Sequence, residues 1–326
     1  MGFEDVVYLV TEHNIVVDLG GTRVRAALAG SDLHLHERRE ESTFHRRGAP
    51  GVLDQIVRLA DEALAGASRS WCDIGYLAVA SPGPLDPETG VVYHPPNLSG
   101  WGEVPLGPEL TGRTGVPVVL INDANAAALG EFHAGAGRGT RNLVYLTIST
   151  GIGGGVIVDG SLLEGSSGSA GEIGHHTVER HGPPCPCGSI GCLEAISSGP
   201  SIALRFRQRL DAGERSTLAA KAGEGITAAD VARAAAQGDD LAADVWQDSM
   251  QALGFGVVNC IHIFNPDVII LGGGVTRAGR QVFDPVLEIV DRYALPVPRA
   301  AVRIVPAALG EDAGLVGAAA AASSRR

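Results

Sequence analysis

Three cysteines crowd into one short stretch, Cys185-Pro-Cys187-Gly-Ser-Ile-Gly-Cys192, and His175 lies upstream of them. Three thiols and an imidazole make a closed Cys₃His set, the composition of structural zinc sites, and soft thiolates select zinc over magnesium. The chain holds five cysteines in all, an odd number, and the acidic Glu4 and Asp5 stand where a secretion leader would be cationic. This usage reads as metal ligation in the cytoplasm and not as a disulfide framework. Cys72 and Cys260 lie in apolar segments and read as core packing. His262, late in a helical stretch, reads as a packed or capping histidine.

Two glutamates flank the metal-type residues: Glu172 just before His175, and Glu194 just after Cys192. A metal-tied loop would hold Glu172, His175 and Glu194 near one another, and converging acceptors of this kind suit a polyol. A histidine bound through one ring nitrogen keeps the other for a ligand. Both glutamates equally fit exposed loop charges.

Asn122-Asp123-Ala-Asn125 falls where an apolar run gives way to a helical pattern. A carboxylate there is held rigidly and partly desolvated, which suits Asp123 to accept a hydroxyl proton during phosphoryl transfer. Asn and Asp are also preferred helix N-caps, so a plain cap fits the same residues.

Asp18-Leu-Gly-Gly-Thr-Arg-Val-Arg25 follows the first strand-like run. Gly20 and Gly21 allow a sharp turn that brings backbone N–H groups up to a phosphate, and Thr22 adds a hydroxyl. Asp18 stands where a carboxylate reaches Mg²⁺ directly or through water. A ligand-free Gly-Gly hairpin fits this segment taken alone. Two more glycine-rich turns, Ser149–Gly155 and Leu271–Val275, also follow strand-like runs, and three such turns point to a phosphate ligand. They match neither a Walker A loop nor the G-x-G-x-x-G dinucleotide fingerprint.

The elements that must position these groups form two similar programmes. Ile15–Leu19, Val24–Ala29 and Leu33–Arg38 read as strands, and Val52, Leu53, Ile56, Val57, Ala60 and Leu64 recur at helical spacing behind Pro50. A strand at Ile74–Ala80, a short helix at Leu106–Thr111, a strand at Val116–Ile121 and a helix at Ala124–Ala134 complete a β-β-β-α-β-α-β-α order. A similar order starts again at Leu143, with strands at Leu143–Ser149 and Gly155–Val158 around the second glycine-rich turn. An irregular Gly/Cys/Pro-rich stretch follows, then helices at 200–211, 228–236 and 240–262. A strand at Val268–Leu271, a helix at 281–293, a strand at Val302–Val305 and an Ala-rich helix at 313–322 end the chain. This is a doubled α/β unit.

Length and composition agree. The 326 residues suit two domains, and 45% apolar with 19% charged residues supplies globular cores. A net charge of −12 with no long basic run speaks against nucleic acid or an anionic membrane as partner. An anionic ligand such as ATP stays compatible, because backbone N–H groups, helix N-termini and Mg²⁺ hold phosphates without a basic surface. No apolar run reaches the roughly 20 residues that span a bilayer. The clusters Arg38-Arg39, Arg46-Arg47 and Arg205/Arg207/Arg209 read as solvated faces.

Taken together, Asp18–Arg25, Asn122–Asn125, Ser149–Gly155, Glu172–His175, Cys185–Glu194 and Asn265–Gly274 resemble the ROK family (repressors, open reading frames and sugar kinases), in order and over nearly the whole chain. The resemblance implies an actin/hexokinase-like (ribonuclease H-like) two-lobed ATPase fold with a central ligand cleft. It places residues 1–121 in a small domain, with 311–326 returning to pack on it, and 122–310 in a large domain carrying a zinc loop. It implies ATP and Mg²⁺ held at Asp18, Gly20, Gly21, Thr22, Arg23, Thr150, Gly151, Gly273 and Gly274. Asp123 becomes the general base. Asn122, Glu172, His175 and Glu194 become hexose contacts, with one structural zinc on His175, Cys185, Cys187 and Cys192. Ser81-Pro-Gly83-Pro84 and Asn97-Leu-Ser-Gly-Trp101, the latter with one residue inserted relative to the family pattern, are similar to the sugar-side loops of family glucokinases. The expected activity is ATP-dependent phosphorylation of a hexose, glucose first, by a homo-oligomer (dimer or tetramer). The family's repressors carry a helix-turn-helix module, and about fourteen residues before the first strand are too few for one.

Overall fold

The computed structural model describes residues 12–325. Glu4 and Asp5, and with them residues 1–11 of the expected small domain, lie outside the described residues. The opening apolar runs form strands β1 (His13–Leu19), β2 (Arg23–Ala29) and β3 (Leu35–Ser42). In β1, Ile15, Val16 and Val17 are fully buried, as a strand covered on both faces requires. β3 alternates half-buried and exposed residues and is the sheet edge. Helix α1 (Gly48–Gly66) buries Val52, Leu53, Ile56, Leu59, Ala60, Ala63 and Leu64, with Pro50 in its first turn, where its missing N–H costs nothing. There follow β4 (Ile74–Ser81), β5 (Leu85–Asp86), β6 (Val91–Tyr93), β7 (Glu103–Val104), α2 (Leu106–Thr114), β8 (Val118–Asn122) and α3 (Asp123–Ala134). The sheet runs β3-β2-β1-β4-β8, antiparallel at β3-β2-β1 and parallel at β1-β4-β8. The separate sheet β5-β6-β7 has no counterpart among the sequence expectations, because strands of two or three residues carry no readable period.

The second programme supplies β9 (Leu143–Ile148), β10 (Ile152–Val158), β11 (Ser161–Leu162), α4 (Leu193–Ser197), α5 (Gly199–Asp211), α6 (Ala228–Ala236) and α7 (Asp240–Phe264). After these come β12 (Val268–Gly272), α8 (Arg280–Tyr293), α9 (Pro296–Ala301), β13 (Arg303–Pro306) and α10 (Ala313–Ser323). Its sheet runs β11-β10-β9-β12-β13 with the same senses as the first: antiparallel, antiparallel, parallel, parallel. One five-stranded pattern is thus built twice, which is the ribonuclease H-like repeat of an actin/hexokinase-like fold.

The chain divides into two compact units. One holds the chain up to Ala134, Ser166–Ser169 and the chain from Glu311 onward; the other holds Gly135–Gly165 and Ala170–Gly310. The expected boundary after Ile121 is therefore too early by one helix. α3 stays with the first unit because it packs on α10 through residues too small to keep the backbones apart. A Cβ on Gly317 would lie 1.6 Å from the Ala126 carbonyl oxygen, and one on Gly130 would lie 2.5 Å from that of Ala313. Each unit has its own core, around Ile15, Leu19, Ile56, Leu77 and Leu110 in the first and around Leu146, Phe206, Leu253, Val257 and Ile269 in the second. Burying each such side chain contributes about 1.5–3 kcal/mol.

Cys260 is buried as expected, but Cys72 is exposed at a 3₁₀ turn between α1 and β4. His262 is exposed and its Nε2 accepts the Leu295 N–H at 3.0 Å, just ahead of α9. Among the described residues no helix is long and apolar enough to cross a membrane.

Candidate functional site

In open α/β sheets ligands gather beyond the carboxyl ends of parallel strands. In the first unit those ends belong to β1, β4 and β8, aligned by the pairs Asp18–Ala80 and Ser81–Asn122. At the end of β8, the Asn122 side-chain oxygen accepts the N–H groups of Ala124 (2.9 Å) and Asn125 (3.2 Å). Asn122 is thus the helix cap, and Asp123 is left as the first helical residue, half-buried, at the positive end of α3. The Ser81–Pro84 loop leaves β4 beside it: a Cβ on Gly83 would sit 3.3 Å from the Asn122 amide nitrogen.

The β1–β2 turn closes through Gly20 N–H donating to the Arg23 carbonyl at 2.8 Å, and Thr43 Oγ1 donates to the Gly20 carbonyl at 2.7 Å. The Gly20 amide is therefore engaged inside the hairpin. Gly21 is required for a reason the sequence did not display: a Cβ there would lie 2.6 Å from the Asn97 carbonyl oxygen. Exposed Asn97 is held against the turn by its buried neighbours Leu98 and Trp101. Asp18 pairs with Arg25 (Nη1 to Oδ2, 3.0 Å), which also reaches Glu40 at 3.0 Å and Glu311 at 3.3 Å. Burial pushes the Asp18 carboxyl above its ordinary value, against the pull of Arg25. Arg23, expected at the phosphates, bonds Glu40 at 2.6 Å, while Thr22 is exposed at the tip of the turn.

The second unit repeats the geometry with different contents. The β9–β10 turn is only Ser149-Thr150-Gly151; Gly153, Gly154 and Gly155, expected in the turn, lie in β10. Gly154 is glycine because another segment crosses it: a Cβ there would be 2.5 Å from the Gly171 carbonyl oxygen. After β12, Gly273 adopts φ +89°, and a Cβ on it would lie 2.4 Å from the Ile148 carbonyl oxygen, so the third glycine turn presses against the second. Beside both turns opens a cavity of about 840 Å³, lined by Ser149, Thr150 and Gly274, walled by Ala228, Ala232 and Trp246 among others, and rimmed by Arg207, Arg233 and Arg277. Arg207 thus faces a cavity and is not merely a solvated charge. Its spacing of four from Ala203, another lining residue on α5, was the available signal.

The metal-type residues converge. One ligand atom from each of His175, Cys185, Cys187 and Cys192 lies within 4.8 Å of the others. Cys187 Sγ and Cys192 Sγ are 3.7 Å apart, as are Cys185 Sγ and His175 Nδ1. A tetrahedral zinc with ordinary Zn–S bonds sets its sulfurs about 3.8 Å apart, so the four donors fit one ion. Burial pushes the Cys185 thiol up to about 12 and Cys192 up as well, whereas the Ser189 N–H holds Cys187 down to about 7. A dication would stabilise all three as thiolates. His175 turns Nδ1 toward the thiols and Nε2 toward Glu172, whose Oε2 is 4.0 Å away. Glu172 is exposed. Glu194 does more than line the loop: its Oε2 accepts the Ile152 N–H at 2.7 Å and lies 2.5 Å from where a Gly151 Cβ would be. The metal loop is therefore tied to the β9–β10 turn at the cavity.

The ROK family model matches residues 14–325. A glucokinase from Thermotoga maritima is 40% identical over 94% of this chain and 95% of that relative. A glucokinase from Halalkalibacterium halodurans is 37% identical over 92% of each. The crystal structure of a ROK family glucokinase from Streptomyces griseus, in complex with glucose and AMPPNP, is 33% identical, covers 94% of this chain and 98% of that chain, and superposes with a TM-score of 0.78.

Proposed function

The chain belongs to the ROK family, and from that premise we propose that it transfers the γ-phosphoryl group of ATP to the 6-hydroxyl of a hexose, glucose first. The observation that carries the reading is the second unit's cavity, which opens beside two glycine turns at strand ends and has room for a nucleotide. Thr150, Gly151, Gly273 and Gly274 bring backbone N–H groups to its phosphates, and Gly21 and Thr22 are the first unit's candidate phosphate contacts. The carboxylate of Asp18 would hold Mg²⁺, which supplies charge neutralisation at the phosphates when bound.

Asp123 does the proton chemistry. It accepts the proton of the 6-hydroxyl as the sugar oxygen bonds to the γ-phosphorus and the bond to the departing ADP breaks. Asn122 caps the helix that aims it. Gly83, Pro84, Asn97, Asn122, Glu172, His175 and Glu194 are the hexose contacts in this reading. Zinc held by His175, Cys185, Cys187 and Cys192 would neutralise the three thiolates and fix His175 Nε2 in its outward setting. A homo-oligomer is supported by apolar side chains left exposed on the second unit, Ile263 at 72%, Leu295 at 60% and Val297 at 81%.

The test is ADP release, coupled to a reporter, across a panel of hexoses at saturating ATP and Mg²⁺. Glucose should lead in kcat/KM, with mannose and 2-deoxyglucose poorer and N-acetylated hexosamines poorest, because acceptors covered by the bound sugar and left unpaired reject a misplaced hydroxyl. An N-acetylhexosamine outranking glucose would move the assignment to another hexose kinase of the family. Sugar binding without ADP release would make the protein a sensor and not an enzyme.

A further inference from the structure

Gln281, in the first turn of α8, lines the cavity together with Trp246 and Ala232. Its side-chain Nε2 lies 3.0 Å from the Ala232 carbonyl oxygen, and its backbone carbonyl accepts the Trp246 indole N–H, also at 3.0 Å. A carbonyl only accepts, so the atom facing Ala232 must be the NH₂ and the amide cannot be flipped. With Nε2 engaged at Ala232, Oε1 is the acceptor this cavity-lining side chain has to offer.

Helix α6 gives the scale. A Cβ on Gly199 would touch the Ala228 Cβ at 3.9 Å, and the Gly199 N–H donates to the Ser149 carbonyl at 2.9 Å, so Ala228 marks the turn end of the cavity. Ala232 is about one turn further along, roughly 6 Å. A ligand with its phosphates at Ser149–Thr150 and its body along Ala228 and Ala232 reaches Gln281 with its far edge. The apolar wall suits a flat aromatic base, and an isolated acceptor beyond it calls for a donor on that edge.

We propose that Gln281 selects the base of the phosphoryl donor, its Oε1 accepting a hydrogen bond from the exocyclic 6-amino group of adenine. A 6-oxo purine sets lone pair against lone pair at that point, and a purine with no 6-substituent leaves Oε1 unpaired. The inference rests on reading the cavity as the donor's pocket.

The experiment compares ATP, purine riboside triphosphate and inosine triphosphate as donors at saturating glucose, with calorimetry of ADP and inosine diphosphate alongside. The wild-type protein should prefer ATP to inosine triphosphate by about 100-fold and to the unsubstituted purine by about tenfold. Gln281→Met, which keeps the side chain's length and removes the acceptor, should compress the first ratio to about threefold, mainly through KM for ATP. Gln281→Leu serves if the methionine variant does not fold, and unchanged melting and glucose affinity certify either one. A folded variant that keeps the wild-type ratio overturns the proposal. Ala229→Trp, which fills the cavity from α6, separates the two layers. If it leaves ADP affinity intact, the cavity reading falls and the proposal with it. If it abolishes ADP binding while Gln281→Met leaves the ratio unchanged, base selection alone is wrong.

Discussion

Two of the three parallel strands of the first unit end in acids, Asp18 near the end of β1 and Asp123 just past β8, while β4 runs into Ser81-Pro82-Gly83. The matching ends in the second unit carry Ser149-Thr150-Gly151 after β9, Gly273-Gly274 after β12 and Pro306-Ala307 at β13, with a cavity beside the first two. One strand order thus offers the same set of ends twice, and the residues placed there specialise them. Carboxylates suit proton transfer and a cation; bare backbone amides beside an open volume suit a polyanion, which acids there would repel. Glu194 does reach the second unit's turn, but it arrives from the metal loop and one of its oxygens is taken by the Ile152 N–H.

The sharpest way to break this division is to remove the acid assigned to proton transfer. Asp123→Asn should cut kcat by about 10²-fold or more while sugar affinity, measured by calorimetry, stays within a few-fold. Near-normal turnover would take the proton chemistry away from the first unit. A collapse of sugar affinity would make Asp123 a binding group and nothing more.

Next in size is the metal loop, which belongs wholly to the second unit. Cys187→Ser should lower bound zinc well below one per chain by elemental analysis and reduce kcat/KM for glucose by about 10- to 100-fold. Because Glu194 ties the loop to the turn at the cavity, ADP affinity should also fall, by a smaller factor. Full zinc content in this variant would contradict the ligand set, and untouched ADP affinity would cut the proposed link.

A smaller contrast concerns buried acids of opposite sign. Asp239, at the start of α7, is pushed up by burial, yet hydrogen bonds from Thr217, Ala242 and Ser216 hold its carboxyl down to about 2 against an ordinary 3.8. A value lowered on folding means stability that is present above about pH 3.8 and lost as pH falls toward 2. The contribution is about 2 kcal/mol. Asp18 in the first unit is shifted upward, so its protonation adds stability as pH falls toward 3.8, above the range where Asp239 loses its advantage. Denaturant midpoints from pH 5 down to 2 should fall for the wild type and be flatter, and lower at pH 7, for Asp239→Asn. Parallel curves would show that these hydrogen bonds contribute little.

How far the sequence went follows from which interactions are local. Strand and helix order and the Cys₃His set rest on period, spacing and composition, and these were legible. The tie from Glu194 to Ile152 spans 42 positions, and the pressure of Asn97 on Gly21 comes from a loop with no pattern of its own; neither leaves a mark in either segment alone. α3 was put on the wrong side of the boundary because its small residues promise close packing without saying against what. Cys72 misled for the same reason, since an apolar neighbourhood along the chain is not burial.

The smallest effect tests the two hairpin turns directly, through Gly21→Ala and Gly151→Ala. Both added methyls meet an oxygen at nearly the same distance, 2.6 Å from the Asn97 carbonyl and 2.5 Å from Glu194 Oε2. Neither glycine has a positive φ, so backbone strain is not at issue. What differs is whether the neighbour can move. The Asn97 carbonyl is main chain, anchored by buried Leu98 and Trp101, and relief requires the whole loop to shift. Overpacking of that kind costs about 1–3 kcal/mol. Glu194 Oε2 ends a flexible side chain and can swing away at the expense of its bond to Ile152, a net loss of about 1 kcal/mol or less. Gly21→Ala should therefore lower the urea midpoint clearly, while Gly151→Ala should hardly change it and should show instead as weaker ADP binding. Equal destabilisation by the two would mean that Glu194 is as fixed as a backbone carbonyl, and the second unit's turn would then be as rigid as the first's.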